Sequence, residues 1–331
     1  MLARSAENPD TTSRPSGKMR LACITVTFNP DLHVLQSQQQ ALPRESLRIL
    51  VDNASQDELL GKLQVFARER DITLIRNGEN RGLAAALNQG AQYAIEQRCS
   101  TVLLLDQDTE PTSSAVHLLS NTFDKMQRED PRIDAVGPRL QDPDTFTEHG
   151  FHRIKGWQWT RLYPAPDSSP VECDNLNGSG TMMRTSRFIA LGGLDESLFI
   201  DHIDTEWSFR IRARGGRLFG IPAALFHHRM GLGAQRLWLL GWRTWPKRSA
   251  QRQYYLVRNT VWLLRRAEAH VVWRVWATVR LLVAASIATA IGPNRFEQLN
   301  EMRKGLFAGF GRCPPRCGIS LKINNEVPID I

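Results

Sequence analysis

The stretch LLLDQDTEP, residues 103–111, ends an apolar run with two aspartates and a proline. The leucines are typical of a buried strand. Asp106 and Asp108 stand two residues apart, so an extended chain points both side chains to the same face. Two carboxylates on one face repel each other and do little to stabilise a fold. The stretch therefore predicts a buried strand whose end holds a positive group between two acids.

Strand and helix patterns alternate before this stretch. Strands are predicted at 21–30, 47–55, 72–77 and 101–108, with helices near 31–41, 56–69 and 78–97. This alternation indicates an α/β fold with a doubly wound, mainly parallel sheet, in which ligands bind beyond the carboxyl ends of the strands. Polar residues stand at these predicted ends: Thr27, Asn29, Asp52, Asn53, Asn77, Asp106 and Asp108.

A second informative region spans residues 175–216. It contains a Gly-Ser-Gly turn, a double glycine and a cluster of acids, a combination that predicts an active-site wall. A helix is expected from about residue 204, followed by a strand over 218–231 that delivers His227 and His228. Residues 111–175 are predicted to form a helix and then loops.

Composition narrows the class of partner. The 331 residues allow one large domain or two smaller ones, and the net charge of +8 favours an anionic partner. Nucleic acid is not expected, because zinc-ribbon spacing, a base-stacking motif and a Lys-rich tail are all missing from the sequence. Five cysteines without a disulfide pattern suit a reducing compartment. Residues 1–19 lack a signal-peptide core, so a disordered lead-in and a cytoplasmic protein are expected.

The C-terminal region has a different character. Residues 262–292 predict one long helix whose aliphatic face is bordered by tryptophan and arginine. That pattern suits an interfacial helix on a membrane, and equally a helix packed on the domain with its arginines in water. No uninterrupted apolar run reaches the roughly 20 residues that span a bilayer.

The acids and histidines allow two interpretations each. Asp106 and Asp108 suit Mg²⁺ or Mn²⁺, or else Asp106 caps a turn while Asp108 is solvated. The two histidines are either a surface pair or the source of one further ligand. The remaining acids are either candidates for a general base or acids that suit a helix N-terminus: Asp201, Asp204 and Glu206.

Three stretches together resemble family-2 glycosyltransferases, in particular the rhamnosyltransferase-like branch. They are LLLDQDTEP, NGSGTMMRTSRFIALGGLDESLFIDHIDTEW and HHRMG, within a resemblance that runs over about 21–259. The resemblance implies a GT-A fold over residues 20–260. It also implies a nucleotide-sugar half at about 20–110, an acceptor half at about 111–260, and a C-terminal amphipathic helical region and tail at 261–331.

The resemblance also implies roles for individual residues. The implied nucleotide-sugar ligands are Thr27, Asn29, Asp52, Asn53, Asn80, Gly82, Asn88, Asp106 and Arg258. The implied ligands of Mg²⁺ or Mn²⁺ are Asp106, Asp108 and His228, with Asp108 the more direct. Asp204 falls on the catalytic base and Glu206 on a later acid. Ile203 stands where the family usually has an acid before the base, which keeps Asp201 as a substitute base.

The implied activity is inverting sugar transfer in cell-surface polysaccharide or glycolipid assembly. The resemblance favours L-rhamnose from dTDP-L-rhamnose, passed to a hydroxyl of a saccharide or lipid-linked saccharide. The basic excess and the helix with tryptophan and arginine fit a lipid-linked acceptor and peripheral contact with the inner membrane. A UDP- or GDP-linked sugar and a non-catalytic saccharide-binding module are the alternatives. A nucleotidyltransferase would need a Gly- and Lys-rich phosphate loop, which TFNPDLHV does not offer. The oligomeric state cannot be read from the sequence.

Overall fold

The computed structural model describes residues 20–229, 234–238, 242–246, 249–291 and 294–319. Within 234–238, 242–246 and 289–291 only the backbone is described. The predicted lead-in, residues 1–19, and the end of the tail, residues 320–331, lie outside the described residues.

Strands and helices alternate through the first half of the chain. The strands are β1 (Leu21–Thr27), β2 (Leu47–Asp52), β3 (Thr73–Arg76), β4 (Thr101–Asp106), β5 (Thr109–Pro111), β6 (Ile133–Gln141), β7 (Phe151–Lys155), β8 (Gln158–Leu162), β9 (Val171–Cys173), β10 (Met182–Arg184), β11 (Arg217–His228), β12 (Ala234–Trp238) and β13 (Trp242–Pro246). The α-helices are α1 (Leu32–Ala41), α2 (Asp57–Glu69), α3 (Leu83–Glu96), α4 (Ala115–Glu129), α5 (Thr185–Ala190), α6 (Ile203–Ala213), α7 (Ala250–Arg265), α8 (Val271–Ile291) and α9 (Arg295–Phe310). A 3₁₀ turn covers Glu196–Leu198.

The central sheet has the strand order β3-β2-β1-β4-β10-β6-β11-β5, and β9 pairs with β11. The strands β1 to β4 are parallel, whereas β10 lies antiparallel between β4 and β6. The strands β6 and β11 are again parallel, and β5 closes the edge in the antiparallel sense. The predicted doubly wound, mainly parallel sheet is therefore confirmed, with antiparallel strands in its second half.

Alternation within the strands builds a core on each face of the sheet. In β1, Ala22 and Ile24 belong to the apolar cluster that includes the alanines of α3. Cys23 belongs with Leu103 of β4 to the cluster on the opposite face, which includes α4. Because successive strand residues point to opposite faces, an almost wholly apolar strand must be covered on both sides. Burial of this sheet holds the polar strand ends at one edge.

Two predictions for the later part of the chain were wrong. A β-hairpin, β7–β8, forms where loops were expected, with Trp157 at its turn. The helix predicted over 262–292 is two helices, α7 and α8, because Arg266 turns inward to pair with the buried carboxylate of Asp195 at 2.5 Å. Trp273 of α8 is buried in the core.

The helices α7 to α9 form the C-terminal region. Val257 of α7, Ala284 of α8 and Met302 of α9 are buried together in a small apolar cluster. By length and composition, the stretch Val271–Ala288 of α8 is apolar enough to cross a membrane, although 22% of it is buried inside the protein. The structure therefore contains one candidate span in its described part, where the sequence had indicated none.

Candidate active site

The two acids of the opening stretch meet a histidine at one edge of the sheet. β4 ends at Asp106, and the antiparallel pairing of β11 with β5 sets His228 opposite Thr109. Ligand atoms of Asp106, Asp108 and His228 all lie within 4.8 Å of one another. The three predicted metal ligands, which come from segments more than a hundred residues apart, are thus brought together.

Hydroxyl groups tie this acid–histidine group to the Gly-Ser-Gly turn. The Thr109 hydroxyl lies 2.7 Å from Nδ1 of His228 and 2.7 Å from the Ser179 hydroxyl. Ser179 in turn accepts a hydrogen bond from the backbone N–H of Asp106 at 2.9 Å. The predicted wall therefore lies against the acids and fixes the ring of His228.

The electrostatics of the group call for a cation. Burial raises the pKa of the Asp106 carboxyl to about 6, His228 opposes this rise, and Asp108 and Asp204 add to it. Two carboxylates and an imidazole are a donor combination that suits a divalent metal ion. A bound cation would relieve both the burial and the like-charge repulsion, so the residues present fit a metal ion.

Asp204 lies beside this group at the start of α6. Its carboxylate accepts hydrogen bonds from the N–H groups of Gly178 at 3.2 Å and Thr205 at 2.7 Å. Burial raises the pKa of the Asp204 carboxyl, although these hydrogen bonds lower it. A buried carboxylate with a raised pKa, held in a fixed orientation, is suited to accept a proton.

Asp201 has a partner of its own. Its carboxylate forms an ion pair with Arg252, with both Nε and Nη2 of the guanidinium within 3.1 Å of it. Asp201 and its neighbours Phe199 and His202 have left-handed backbone conformations. Arg252 was not among the predicted residues, although it lies six residues before Arg258.

The structure places Glu206 in a network of arginines, and its catalytic role stays a prediction. Its carboxylate is only 2% exposed and pairs with Arg210 at 2.6 Å, Arg316 at 2.8 Å and Arg266 at 3.3 Å. These three ion pairs place the Glu206 carboxylate in a buried network of guanidinium groups. Two of these partners, Arg266 just after α7 and Arg316 in the tail, lie far from Glu206 in sequence, whereas Arg210 lies four residues along α6.

The predicted nucleotide residues of β1 and β2 form a connected group. Thr27 donates to buried Asp52 at 3.1 Å, and Asp52 also accepts from the N–H of Ser55 at 3.0 Å. Asn29 bonds through its own N–H to the Ser55 hydroxyl at 2.8 Å. Parallel pairing puts Thr27 level with Asp52, which explains why these ends meet. Their contact with a nucleotide stays a prediction.

Asn53, Asn80 and Gly82 extend this group. Asn53 donates to Asn80 at 2.9 Å and accepts from the N–H of Arg81 at 3.0 Å. Gly82 has φ +83°, and a Cβ there would lie 2.7 Å from the carbonyl oxygen of Phe199. The loop before α3 can therefore approach the 199–202 segment only with glycine at this position.

Asn88 and Arg258 make structural contacts instead of lining this edge. Asn88 is 2% exposed and bonds both ways with the backbone of Leu194. Arg258 donates to the carbonyls of Ser197 and Leu198 and lies 4.3 Å from the ring centre of Trp262. In the structure both side chains hold the 194–201 backbone, and their contact with the donor stays a prediction.

One further residue near the acids was missed. The ring of His149 lies 5.5 Å from that of His228, and burial lowers the pKa of His149 to about 4. Its surrounding sequence, TEHGF, carries no motif that could have identified it.

Comparisons with known proteins agree with this geometry. Residues 41–188 match the model of Glycosyl transferase family 2. The dTDP-rhamnosyl transferase RfbF of Shigella flexneri is 28% identical over 280 residues, which cover 84% of this chain and 91% of that protein. The N-acetylglucosaminyl-diphospho-decaprenol L-rhamnosyltransferase of Mycobacterium tuberculosis is 26% identical over 240 residues, covering 63% and 76%.

Among solved structures, the mannosyltransferase PcManGT of Pyrobaculum calidifontis, in complex with GDP-Man and Mn²⁺, shares the fold. The TM-score is 0.53 and the identity 18%, over 92% of this chain and 89% of that one. The expected GT-A architecture is thereby confirmed.

Proposed function

Because residues 41–188 match the Glycosyl transferase family 2 model, we propose that the chain moves L-rhamnose from dTDP-L-rhamnose to a hydroxyl group of a saccharide or lipid-linked saccharide. The observation that carries this proposal is the convergence of Asp106, Asp108, His228 and Asp204 at the end of β4. A binding module would not need acids and a histidine from three separate segments at one point.

Two relatives support the choice of sugar. RfbF is by name a dTDP-rhamnosyl transferase, and the mycobacterial relative is an L-rhamnosyltransferase that acts on a decaprenol-linked acceptor. The first of them aligns over 84% of this chain. A UDP- or GDP-linked sugar is the alternative donor, since no residue in the structure identifies the base or the sugar by itself.

Asp106, Asp108 and His228 would hold the metal ion, Mg²⁺ or Mn²⁺. The ion would supply positive charge to the diphosphate leaving group. The residues of the chain supply the rest of the site. Thr109 fixes the ring of His228, and Ser179 fixes the backbone at Asp106.

In the proposed mechanism Asp204 is the general base. Its carboxylate accepts the proton of the acceptor hydroxyl, whose oxygen attacks the anomeric carbon opposite the leaving diphosphate. Attack from the opposite face inverts the anomeric centre in one displacement. Gly178 and Thr205 keep the carboxylate oriented through the transfer.

The test is donor hydrolysis and donor binding with a panel of nucleotide sugars. Purified protein is incubated with dTDP-L-rhamnose, UDP-linked sugars and GDP-linked sugars, with Mg²⁺ or Mn²⁺ and with EDTA. We expect metal-dependent release of dTDP from the rhamnose donor, and loss of that release in Asp108→Ala. Release of the nucleoside diphosphate from another donor alone would overturn the choice of L-rhamnose as the sugar. If calorimetry finds no donor binding at all, the transferase proposal fails.

We also propose that the protein is cytoplasmic and contacts the inner membrane surface through α8. The side chains of Val271, Val275, Val279 and Leu282 follow one another along α8 and are 46–65% exposed. Trp276 borders them and donates to the carbonyl of Trp157, which is 74% exposed on the β7–β8 turn.

Charge favours a lipid surface over a second protein copy. The sequence of α8 carries Arg274 and Arg280 and no acid, and the whole chain has a net charge of +8. Tryptophan and arginine beside an aliphatic stripe suit the headgroup region of an anionic bilayer. Such contact would bring a lipid-linked acceptor to the enzyme.

A further inference from the structure

Arg252 occupies a distinctive place beside the proposed metal ligands. It lies in the first turn of α7, and its side chain is 45% exposed while Asp201, its partner, is 11% exposed. The positive charge of Arg252 is near enough to act on both Asp106 and Asp108. One face of the guanidinium is therefore held by Asp201, while the group remains open to solvent beside the acids.

The backbone around this ion pair is firmly held. Asn259, two turns further along α7, donates to the carbonyls of Leu198, Ile200 and Asp201 at 2.7–3.0 Å. These three bonds join α7 to the segment that carries Asp201. Arg252 is consequently positioned by both its helix and its partner, and the arrangement does not depend on a flexible side chain alone.

An anionic donor at this edge of the sheet would need positive charge beside it, because several carboxylates already lie there. The charges of Asp108 and Asp204 act on Asp106, and the charge of Asp201 acts on Asp204. A nucleoside diphosphate would add more negative charge to this group of carboxylates. The metal ion would offset part of it, and a guanidinium offers in addition a fork of N–H donors that matches phosphate oxygens.

Another cation lies nearby but is engaged differently. Arg229 follows His228 and forms an ion pair with Glu110 of β5. Its position beyond β11 puts it on the side of the sheet edge where β5 lies, and Glu110 is its partner there. Arg258, the arginine favoured by the sequence, binds backbone carbonyls.

We propose that Arg252 binds the diphosphate of the donor directly and that Asp201 is the residue that positions it. This inference rests on the proposed function, because it needs a donor that carries a diphosphate. It assigns to Asp201 a role different from that of a substitute base.

The experiment measures binding of diphosphates in the presence of Mn²⁺. Calorimetry with dTDP, UDP, GDP and inorganic pyrophosphate compares the wild type with Arg252→Gln and Arg252→Lys. Arg303→Gln, on exposed α9, is the matched control. We expect Arg252→Gln to weaken the diphosphates that the wild type binds by about ten- to a hundredfold. Arg252→Lys should recover part of the loss, and Arg303→Gln should match the wild type.

The possible results separate the two proposals. If the wild type binds a diphosphate and Arg252→Gln binds it equally well, the inference is wrong while the transferase proposal stands. Loss of diphosphate binding in Arg229→Gln but not in Arg252→Gln would also overturn the assignment of Arg252 and leave the transferase proposal standing. If the wild type binds none of the four probes, both proposals fail. An unchanged melting temperature shows that Arg252→Gln is folded.

Asp201 is tested by its kinetics. Asp201→Asn keeps the shape of the side chain but removes the charge that orients Arg252, so the donor KM should rise about three- to tenfold with kcat nearly unchanged. Arg252→Lys should also raise the donor KM. A large fall in kcat at unchanged KM would make Asp201 a proton acceptor and overturn its positioning role.

Discussion

The proposed chemistry of Asp204 depends on its burial at the start of α6. Replacing it by Asn keeps the size and the acceptor oxygen but removes the proton-accepting carboxylate. We expect kcat of Asp204→Asn to fall about 10²- to 10⁴-fold, because a positioned general base contributes about that much. Binding of the nucleoside diphosphate should stay within about threefold of wild type.

The control for this prediction is Asp167→Asn, which makes the same chemical change at an exposed loop position between β8 and β9. Steady-state kinetics and calorimetry are run on both variants. Full turnover by Asp204→Asn would contradict the assignment of the base.

Thr109 is predicted to tune the metal site without touching the metal. Its hydroxyl links His228 to Ser179, so Thr109→Val leaves both partners without that bond. Loss of such outer partners typically weakens metal binding about ten- to a hundredfold. Calorimetric titration with Mn²⁺ should show this loss of affinity in Thr109→Val and near-wild-type affinity in Thr109→Ser. Equal affinity in all three proteins would show that the link is unimportant.

The sequence could predict the acids at the strand ends but could not separate their roles. The residue types and spacing of Asp106 and Asp108 suggested a metal, and the family resemblance added His228 as the third ligand. Glu206 and Arg258 were also predicted to act at the site. In the structure Glu206 pairs with arginines and Arg258 donates to backbone carbonyls. Arg266 and Arg316 are distant from Glu206 in sequence, and Ser197 and Leu198 are distant from Arg258, so no spacing rule predicts these contacts. Arg252 was missed for the same reason.

At the scale of elements, α7 holds the segment that carries Asp201. Asn259→Ala removes three hydrogen bonds to buried or partly buried carbonyls, so we expect a loss of about 2–3 kcal/mol in the free energy of unfolding. The segment contains three left-handed residues that need such support. Urea denaturation measures the loss, and Asn300→Ala on α9 is the control. Stability equal to wild type would show that the segment holds itself.

Glu172 of β9, which pairs with Arg217 of β11, makes the free energy of unfolding depend on pH. Hydrogen bonds from Arg217 and Arg212 lower the pKa of Glu172 from 4.5 to about 2 despite its burial. A lowered pKa in the folded state means that the carboxylate stabilises the fold above about pH 4.5 and loses this effect as the pH falls towards 2. The effect of Glu172→Gln should therefore be largest at neutral pH.

The expected loss for Glu172→Gln is about 1–2 kcal/mol at pH 7, because Glu172 remains partly exposed. Chemical unfolding at pH 7 and pH 3 should show the difference from wild type shrinking at the lower pH. Glu58→Gln, which removes a fully exposed pair with Lys62, should have no measurable effect. A pH-independent loss for Glu172→Gln would contradict the ion-pair explanation.

At the scale of the molecule, local pattern was sufficient for the first half of the sheet. Each predicted strand and helix from residue 21 to 108 is present, because short connections and alternating patterns fix parallel units. The antiparallel strands β5, β9 and β10 are three residues long each and carry no periodicity to detect. The break between α7 and α8 depends on Arg266 reaching Asp195, a contact that a helical pattern cannot reveal.

The exposed stripe of α8 leads to a prediction for the whole molecule. The protein should co-sediment with phosphatidylglycerol vesicles, because a basic protein is attracted to anionic lipid. Less protein should co-sediment with phosphatidylcholine vesicles, and high salt should also reduce binding. The Val275→Ser/Val279→Ser variant should bind about tenfold more weakly, since burial of each valine in lipid contributes to affinity. The fluorescence of Trp157 and Trp276 should shift to the blue on binding.

The control variant replaces exposed apolar residues elsewhere, Val65→Ser and Leu118→Ser, which are 52% and 40% exposed in the wild type. It should bind vesicles as the wild type does, because neither residue belongs to the α8 stripe. Light scattering checks the competing explanation. If the wild type is a dimer and the α8 variant a monomer, with vesicle binding equal in both, then the stripe covers a second copy. In that case the arginines of α8 serve the protein contact, and the attraction to lipid belongs to the net charge of the chain alone.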